Sequence, residues 1–187
     1  MINKSFLFFL ILSSLNFQYS YANDKQKIIK ELSKINNFIF EFEQFTNLKK
    51  ENGKCNVVFD NKILCVYKDD KQKEILINGK TLVVKQKRYN KIYFYPFSKS
   101  PLSKILNKEK LINLIKNSNV VYKEKFIDLL YVDEYNQKVK VSFDKNSYEL
   151  LGWETTDKFQ NTIIFALKIK SINEKYNLHD FELPKQY

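Results

Sequence analysis

Glycine, proline, histidine and arginine are nearly missing from this 187-residue chain, which has three Gly, three Pro, one His and a single arginine, Arg88. So little Gly and Pro excludes collagen-like, linker-rich and low-complexity chains. It also leaves no material for a glycine-rich phosphate loop. The sole histidine, His179, stands beside Asp180 in a polar stretch near the C-terminus, a poor setting for a Ser-His-Asp triad. The two cysteines, Cys55 and Cys65, have no histidine nearby, so a zinc site lacks ligands. Nucleic-acid readers rely on the guanidinium fork for bidentate contacts to phosphate and guanine. Here the net charge of +11 is carried almost wholly by lysine, which reads as solvated charge or as affinity for a non-specific anionic surface. No nucleic-acid partner is expected. Acidic pairs such as Glu41/Glu43 and Asp69/Asp70 read as solvent-facing strand and turn charges. Glycoside chemistry needs two poised carboxylates, and nothing singles out a pair. The expectation is a non-enzyme without metal or cofactor.

What the chain has in plenty is aromatic residues, 16 Phe and 12 Tyr, within a 44% hydrophobic share that is ordinary for a globular protein. The length fits one domain. Residues 1–22 read as a secretory signal peptide: Lys4 supplies the positive start, Phe6 to Leu12 is unbroken apolar, and Ser20-Tyr21-Ala22 offers small residues for cleavage after Ala22. The apolar run is far short of the ~20 residues that a membrane span needs. The mature chain, residues 23–187, would carry +10 without Lys4. It would be exported, with its cysteines in an oxidising compartment. No cysteine precedes Cys55, so no lipid anchor at the end of the signal region is expected.

Beyond Ala22 the hydrophobic period sets the elements. Ile28, Ile29, Leu32 and Ile35 share one stripe, a short helix over Asp24–Asn36 with Asp24 as N-cap. Phe38, Phe40 and Phe42 then alternate with Ile39, Glu41 and Glu43, a strand with an aromatic face. Further strands are predicted at Lys54–Phe59, Ile63–Lys68, Lys73–Ile77, Lys80–Gln86 and Lys91–Tyr95, with an Asn78-Gly79 two-residue hairpin turn requiring positive φ at both positions. Ser100-Pro101 starts one or two short helices up to Asn117. Strands return at Val120–Lys125, Ile127–Glu134, Lys138–Asp144, Tyr148–Thr156 and Thr162–Lys170, and a last short one lies near Phe181-Glu182-Leu183. About eleven strands without helical crossovers mean one antiparallel sheet large enough to curl. The fold class is therefore mainly β, a strongly curved sheet whose concave face is covered by short helices.

In a hairpin centred on Asp60, Val58 faces Lys62, Val57 faces Ile63 and Cys55 faces Cys65. Opposed strand residues are close enough to be bridged with some adjustment, so a Cys55–Cys65 disulfide is expected; the alternative is two buried free thiols.

Phe38-x-Phe40-x-Phe42-x-Gln44, Gly53, Ile75-Leu76-Ile77-Asn78-Gly79-Lys80-Thr81-Leu82, Ser100-Pro101-Leu102-x-x-Ile105-Leu106 and Phe181-x-Leu183-Pro184 occur in this order. Together they resemble the outer-membrane lipoprotein carrier family, LolA. The resemblance implies an incomplete β-barrel with a helical lid, filling residues 23–187, in a monomeric periplasmic chaperone. Such a carrier takes acylated lipoproteins from an inner-membrane ABC transporter and hands them to an outer-membrane lipoprotein receptor. It places the acyl-chain cavity on Phe38, Phe40, Phe42, Val57, Phe59, Ile63, Ile75, Ile77, Leu82 and Val84, and the lid on Pro101, Leu102, Ile105 and Leu106. It also puts Cys55 and Cys65 on the concave face. One departure stands out: the family's lid-contacting arginine aligns with Phe59, its Arg-Pro pair is Phe59-Asp60 here, and the usual aromatic of the next strand is Cys65. A lid held by apolar contact is expected in its place. Three rivals compete with the carrier: the outer-membrane receptor on the same fold, which is normally a lipoprotein, a periplasmic envelope-stress sensor, and an exported β-sandwich hydrolase.

Overall fold

The computed structural model describes residues 24–185, apart from 48, 60, 101, 134–135 and 157–160. The signal peptide, its cleavage after Ala22, and the lid residue Pro101 lie outside the described residues. Helix α1 spans residues 24–33. A meander of six strands follows: β1 (Asn37–Thr46), β2 (Lys49–Val58), β3 (Lys62–Tyr67), β4 (Lys73–Asn78), β5 (Thr81–Gln86) and β6 (Lys91–Pro96). Helices α2 (Leu102–Ile105) and α3 (Lys108–Asn117) come next. Then β7 (Asn119–Tyr122), β8 (Phe126–Val132), β9 (Lys138–Asp144), β10 (Leu150–Thr156) and β11 (Thr162–Ile172) complete the strands.

All eleven form one antiparallel sheet in the order β6-β5-β4-β3-β2-β1-β11-β10-β9-β8-β7. Strands β6 and β7 are its two edges, so the sheet is not closed into a barrel. One face gathers the main core, where residues from both wings of the sheet pack against Ile28 and Leu32 of α1, Ile105 of α2, Leu106, and Leu111, Leu114 and Ile115 of α3. The spacing of Leu111, Leu114 and Ile115 makes a single helical stripe, which is why α3 lies flat across the sheet. Its first turn is capped by Asn107, whose side chain accepts from the Lys110 N–H at 2.9 Å. Ser100 Oγ accepts from Leu102 N–H at 3.3 Å at the start of α2.

Four sequence expectations change. Helix α1 stops at residue 33, because Asn173 takes over the backbone beyond it: its Oδ1 accepts from Asn36 N at 2.7 Å and its Nδ2 donates to Lys34 O at 2.7 Å. Strand β2 begins at Lys49, five residues earlier than its hydrophobicity indicates, because the charged start pairs across to β1 through Lys50–Glu43 at 2.7 Å. In the β4–β5 hairpin Asn78 pairs with Thr81, so Gly79-Lys80 are the central residues and only Gly79 has positive φ (60°). That is the glycine-first turn rather than the Asn-Gly one. Phe181 is not in a strand; it ends a 3-10 turn, Leu178–Phe181. Its fully buried ring joins Val58, Leu76 and Val83 in a second cluster on the outer face of the sheet.

Candidate functional site

The register aligns the concave side chains into rows. Phe38, Val57, Ile63, Ile77 and Leu82 are successive partners across β1 to β5, ending at Tyr95 on β6. The next row is Phe40, Cys55, Cys65, Ile75, Val84 and Tyr93. Across β1 in the other direction, Gln44, Phe165, Trp153, Val141, Leu129 and Val120 form a third. The structure thus brings the predicted cavity residues onto one face. Phe38, Phe40, Phe42, Val57, Phe59, Ile63, Ile77 and Leu82 are buried in the main core, and Ile75 and Val84 are partly buried against it. Cys55 and Cys65 are directly opposed with Cα atoms 4.1 Å apart and their sulfurs bonded.

Phe42 owes its position to Gly53. A Cβ at Gly53 would overlap Val66 O and come within 2.8 Å of Phe42 Cζ, so only glycine lets the ring lie flat across β2. The ring then meets Tyr67 at 4.9 Å and Phe165 at 5.4 Å, and Trp153 stacks on Phe165 at 4.8 Å. This half of the face escaped the sequence reading. Val139, Val141 and Phe143 alternate cleanly along β9, and that period-2 pattern was the available signal.

Of the lid residues, Ile105 and Leu106 are buried and Leu102 is partly buried against the core. The lid is larger than these, since α1 and α3 cover the face as well. It is also not held by apolar contact alone. Lys108 Nζ, at the start of α3, donates to Ser33 O at 2.9 Å and Ile35 O at 2.7 Å beyond α1. The same ammonium lies 5.4 Å from the centre of the Phe59 ring. Asn107 Nδ2 donates to Asn61 Oδ1 at 3.1 Å, fastening α3 to the β2–β3 turn. At the other end Lys25 Nζ donates to Lys116 O at 3.0 Å and Ser118 O at 2.5 Å, joining α1 to the last turn of α3. Lys104 of α2 pairs with Asp133. A cation thus does meet Phe59, and it comes from the helix side.

One end of the face carries charge. Glu51, with only 8% of its side chain exposed, accepts from Lys49 Nζ at 2.7 Å and Lys73 Nζ at 2.8 Å. Burial pushes its carboxyl upward, but the two lysine hydrogen bonds outweigh that and hold it below the usual range. Tyr67 OH donates to Gln44 Oε1 at 2.8 Å, and burial raises the phenol's pKa far above its ordinary value. Lys73 Nζ sits 3.6 Å over the Tyr67 ring. These groups satisfy one another, and they close the end of the apolar face rather than forming a reactive pair.

The apolar space between α1 and β9–β11, bordered by Leu32, Ile35, Phe143, Leu150 and Ile169, is 260 Å³. That is below the about 300–1,000 Å³ of ordinary ligand pockets. A more polar hollow of 460 Å³ lies beside α2 and α3, bordered by Ser103, Lys104, Asn107, Leu114 and Tyr131.

Residues 33–183 match the family model of the outer membrane lipoprotein carrier protein LolA. The chain belongs to that family. No curated protein sequence matches it. Among solved structures, MucB is 12% identical with a TM-score of 0.54, over 87% of this chain and 62% of that one. A DUF1329 family protein from Desulfovibrio piger is 8% identical with a TM-score of 0.50, over 88% and 96%. A LolA superfamily protein from Nitrosomonas europaea is 9% identical with a TM-score of 0.44, over 84% and 97%. At these identities the shared property is the fold. In this LolA-family chain Phe59 is buried in the main core.

Proposed function

We propose that this chain is a periplasmic carrier that takes acylated lipoproteins from an inner-membrane ABC transporter, shields their acyl chains on the concave face, and delivers them to an outer-membrane receptor. The single observation that carries the reading, beside family membership, is a continuous buried apolar face roofed by three helices on a few polar tethers. Acyl chains bring on the order of 0.8 kcal/mol per methylene of aversion to water. Three chains of about 16 carbons would total tens of kcal/mol, beyond what equilibrium binding normally expresses. A soluble shuttle therefore shields its cargo without gripping it, and non-directional contacts with Phe, Ile, Val and Leu do that without catalytic groups.

Neither the 260 Å³ under α1 nor the 460 Å³ beside α2 and α3 would hold three such chains, so loading requires the helices to move. Ile105, Leu106 and Leu111 then act as placeholders that cover the face between cargoes. Opening exposes apolar surface, and the acyl chains cover it again.

The test is a lipoprotein-release assay with inner-membrane vesicles and an Ile105→Glu variant. A buried carboxylate at 105 disfavours the closed lid, so acceptance and hand-over should change measurably. Unchanged acceptance and release would sink the lid assignment. A chain that extracts no lipoprotein in any form, yet captures a regulatory protein, is a sensor and not a carrier.

A further inference from the structure

Trp153 is the only tryptophan in the chain. It is 3% exposed on the concave side of β10. Among the described residues its indole Nε1 is the buried side-chain nitrogen or oxygen that has no hydrogen-bond partner. Natural interiors pair the large majority of such groups, and an unpaired one costs about 1–3 kcal/mol. Its surroundings offer no remedy. Phe165 stacks on it at 4.8 Å, Phe40 meets it edge-on at 6.3 Å, and Val141 is its neighbour on β9. Gln44 lies in the same row beyond Phe165, but its amide is engaged: Oε1 accepts from Tyr67 and Nε2 donates to Thr46 Oγ1 at 3.3 Å. Phenylalanine in this place would leave no polar group unpaired.

We infer that the Trp153 indole N–H is a polar anchor within the acyl-chain site, receiving the carbonyl oxygen of an ester- or amide-linked acyl group when the lid opens. The inference rests on the carrier reading. The chemistry of the donor narrows the ligand. An N–H set among aromatic rings takes a neutral acceptor attached to an apolar body. A free carboxylate would leave water with no cation beside it, since Lys73 is held by Glu51. An acyl ester or amide carries its carbonyl at the head of the hydrocarbon chain, so the contact at Trp153 fixes how deep the chain it holds is seated. The hydrocarbon face alone has no means of setting that depth.

The experiment compares a 1,2-diacylglycerol with its 1,2-dialkyl ether counterpart of equal chain length, using displacement of an apolar dye and the emission of Trp153 itself. The wild-type chain should prefer the ester by about threefold to tenfold, the range of one neutral hydrogen bond. Trp153→Phe should bind both probes alike, at the affinity of the ether, with a melting temperature close to wild type, since the void it leaves offsets the unpaired N–H it removes. Equal affinity of the two probes for the wild-type chain overturns the inference, and that comparison needs no variant to fold. An ester preference that survives in Trp153→Phe overturns it too. Binding of neither probe overturns the carrier reading and this inference together, which separates the two failures.

Discussion

Lys108 is the most informative residue to remove, because one ammonium fastens the start of α3 to the end of α1 and also meets Phe59, while Lys25 holds the other end. Lys108→Met keeps the stem and deletes the charge. Two charge-assisted hydrogen bonds are lost, to Ser33 O and Ile35 O, with one in the open and one partly buried. The contact with the Phe59 ring is lost as well. A bond to a charged group is worth about 1.5–3 kcal/mol at best and less in water, so the sum is about 2 kcal/mol. That raises the population of the open lid about 30-fold. Hydrogen exchange should show faster opening of α2 and α3, while amides of β1, β2 and β11 keep their protection. Binding of an apolar dye should rise in parallel. Unchanged exchange in α3 would refute the latch, and a uniform loss of protection over the sheet would show that Lys108 supports the whole fold and not the lid.

Other expectations follow from separate parts of the molecule. Replacing both Cys55 and Cys65 by alanine opens a short covalent loop and should lower stability by about 2–3 kcal/mol in urea unfolding, while reducing agent leaves the double variant unchanged. The Glu51 carboxyl is held below its usual range, so the stability it contributes is complete above an ordinary Glu pKa of about 4.3 and is lost as pH falls through its lowered native value. Acid unfolding of Glu51→Gln should therefore be flatter in that window; an identical pH profile would contradict the assignment. Phe181→Ala empties the outer-face cluster of Val58, Leu76 and Val83 and should cost about 3–5 kcal/mol by analogy with buried Phe deletions, leaving acyl binding per folded molecule unchanged.

Most strand positions and the aromatic face of β1 were legible because a period of two is a geometric fact that Phe38, Phe40 and Phe42 display without help from neighbours; the pairing of β1 with β11 was not. The β2–β3 register was legible for the same reason, since a tight turn near Asp60 leaves few ways to oppose Cys55 and Cys65. Four further features lay beyond reach. The start of β2 reads as a polar loop until Glu43 and Phe45 are known to lie across from Lys50. Phe181 alternates like a strand residue, yet its ring fills a hollow built by three other strands. The Lys108 latch joins residues about 75 positions apart, and no local pattern announces it. Trp153 was hidden because burial and the lack of an acceptor are properties of the packed face, not of the residues around it in the chain.

The central claim is that the concave face carries acyl chains through water. Intact mass spectrometry of the protein purified gently from its own cells, beside a Phe40→Glu variant, tests it most directly. Phe40 is 1% exposed at the centre of the face, and a charge there forbids hydrocarbon. The account predicts acylated lipoprotein bound to the wild-type chain and none on a folded variant. A wild-type chain that carries no acylated species, even after incubation with lipoprotein-loaded inner-membrane vesicles and their transporter, would contradict it.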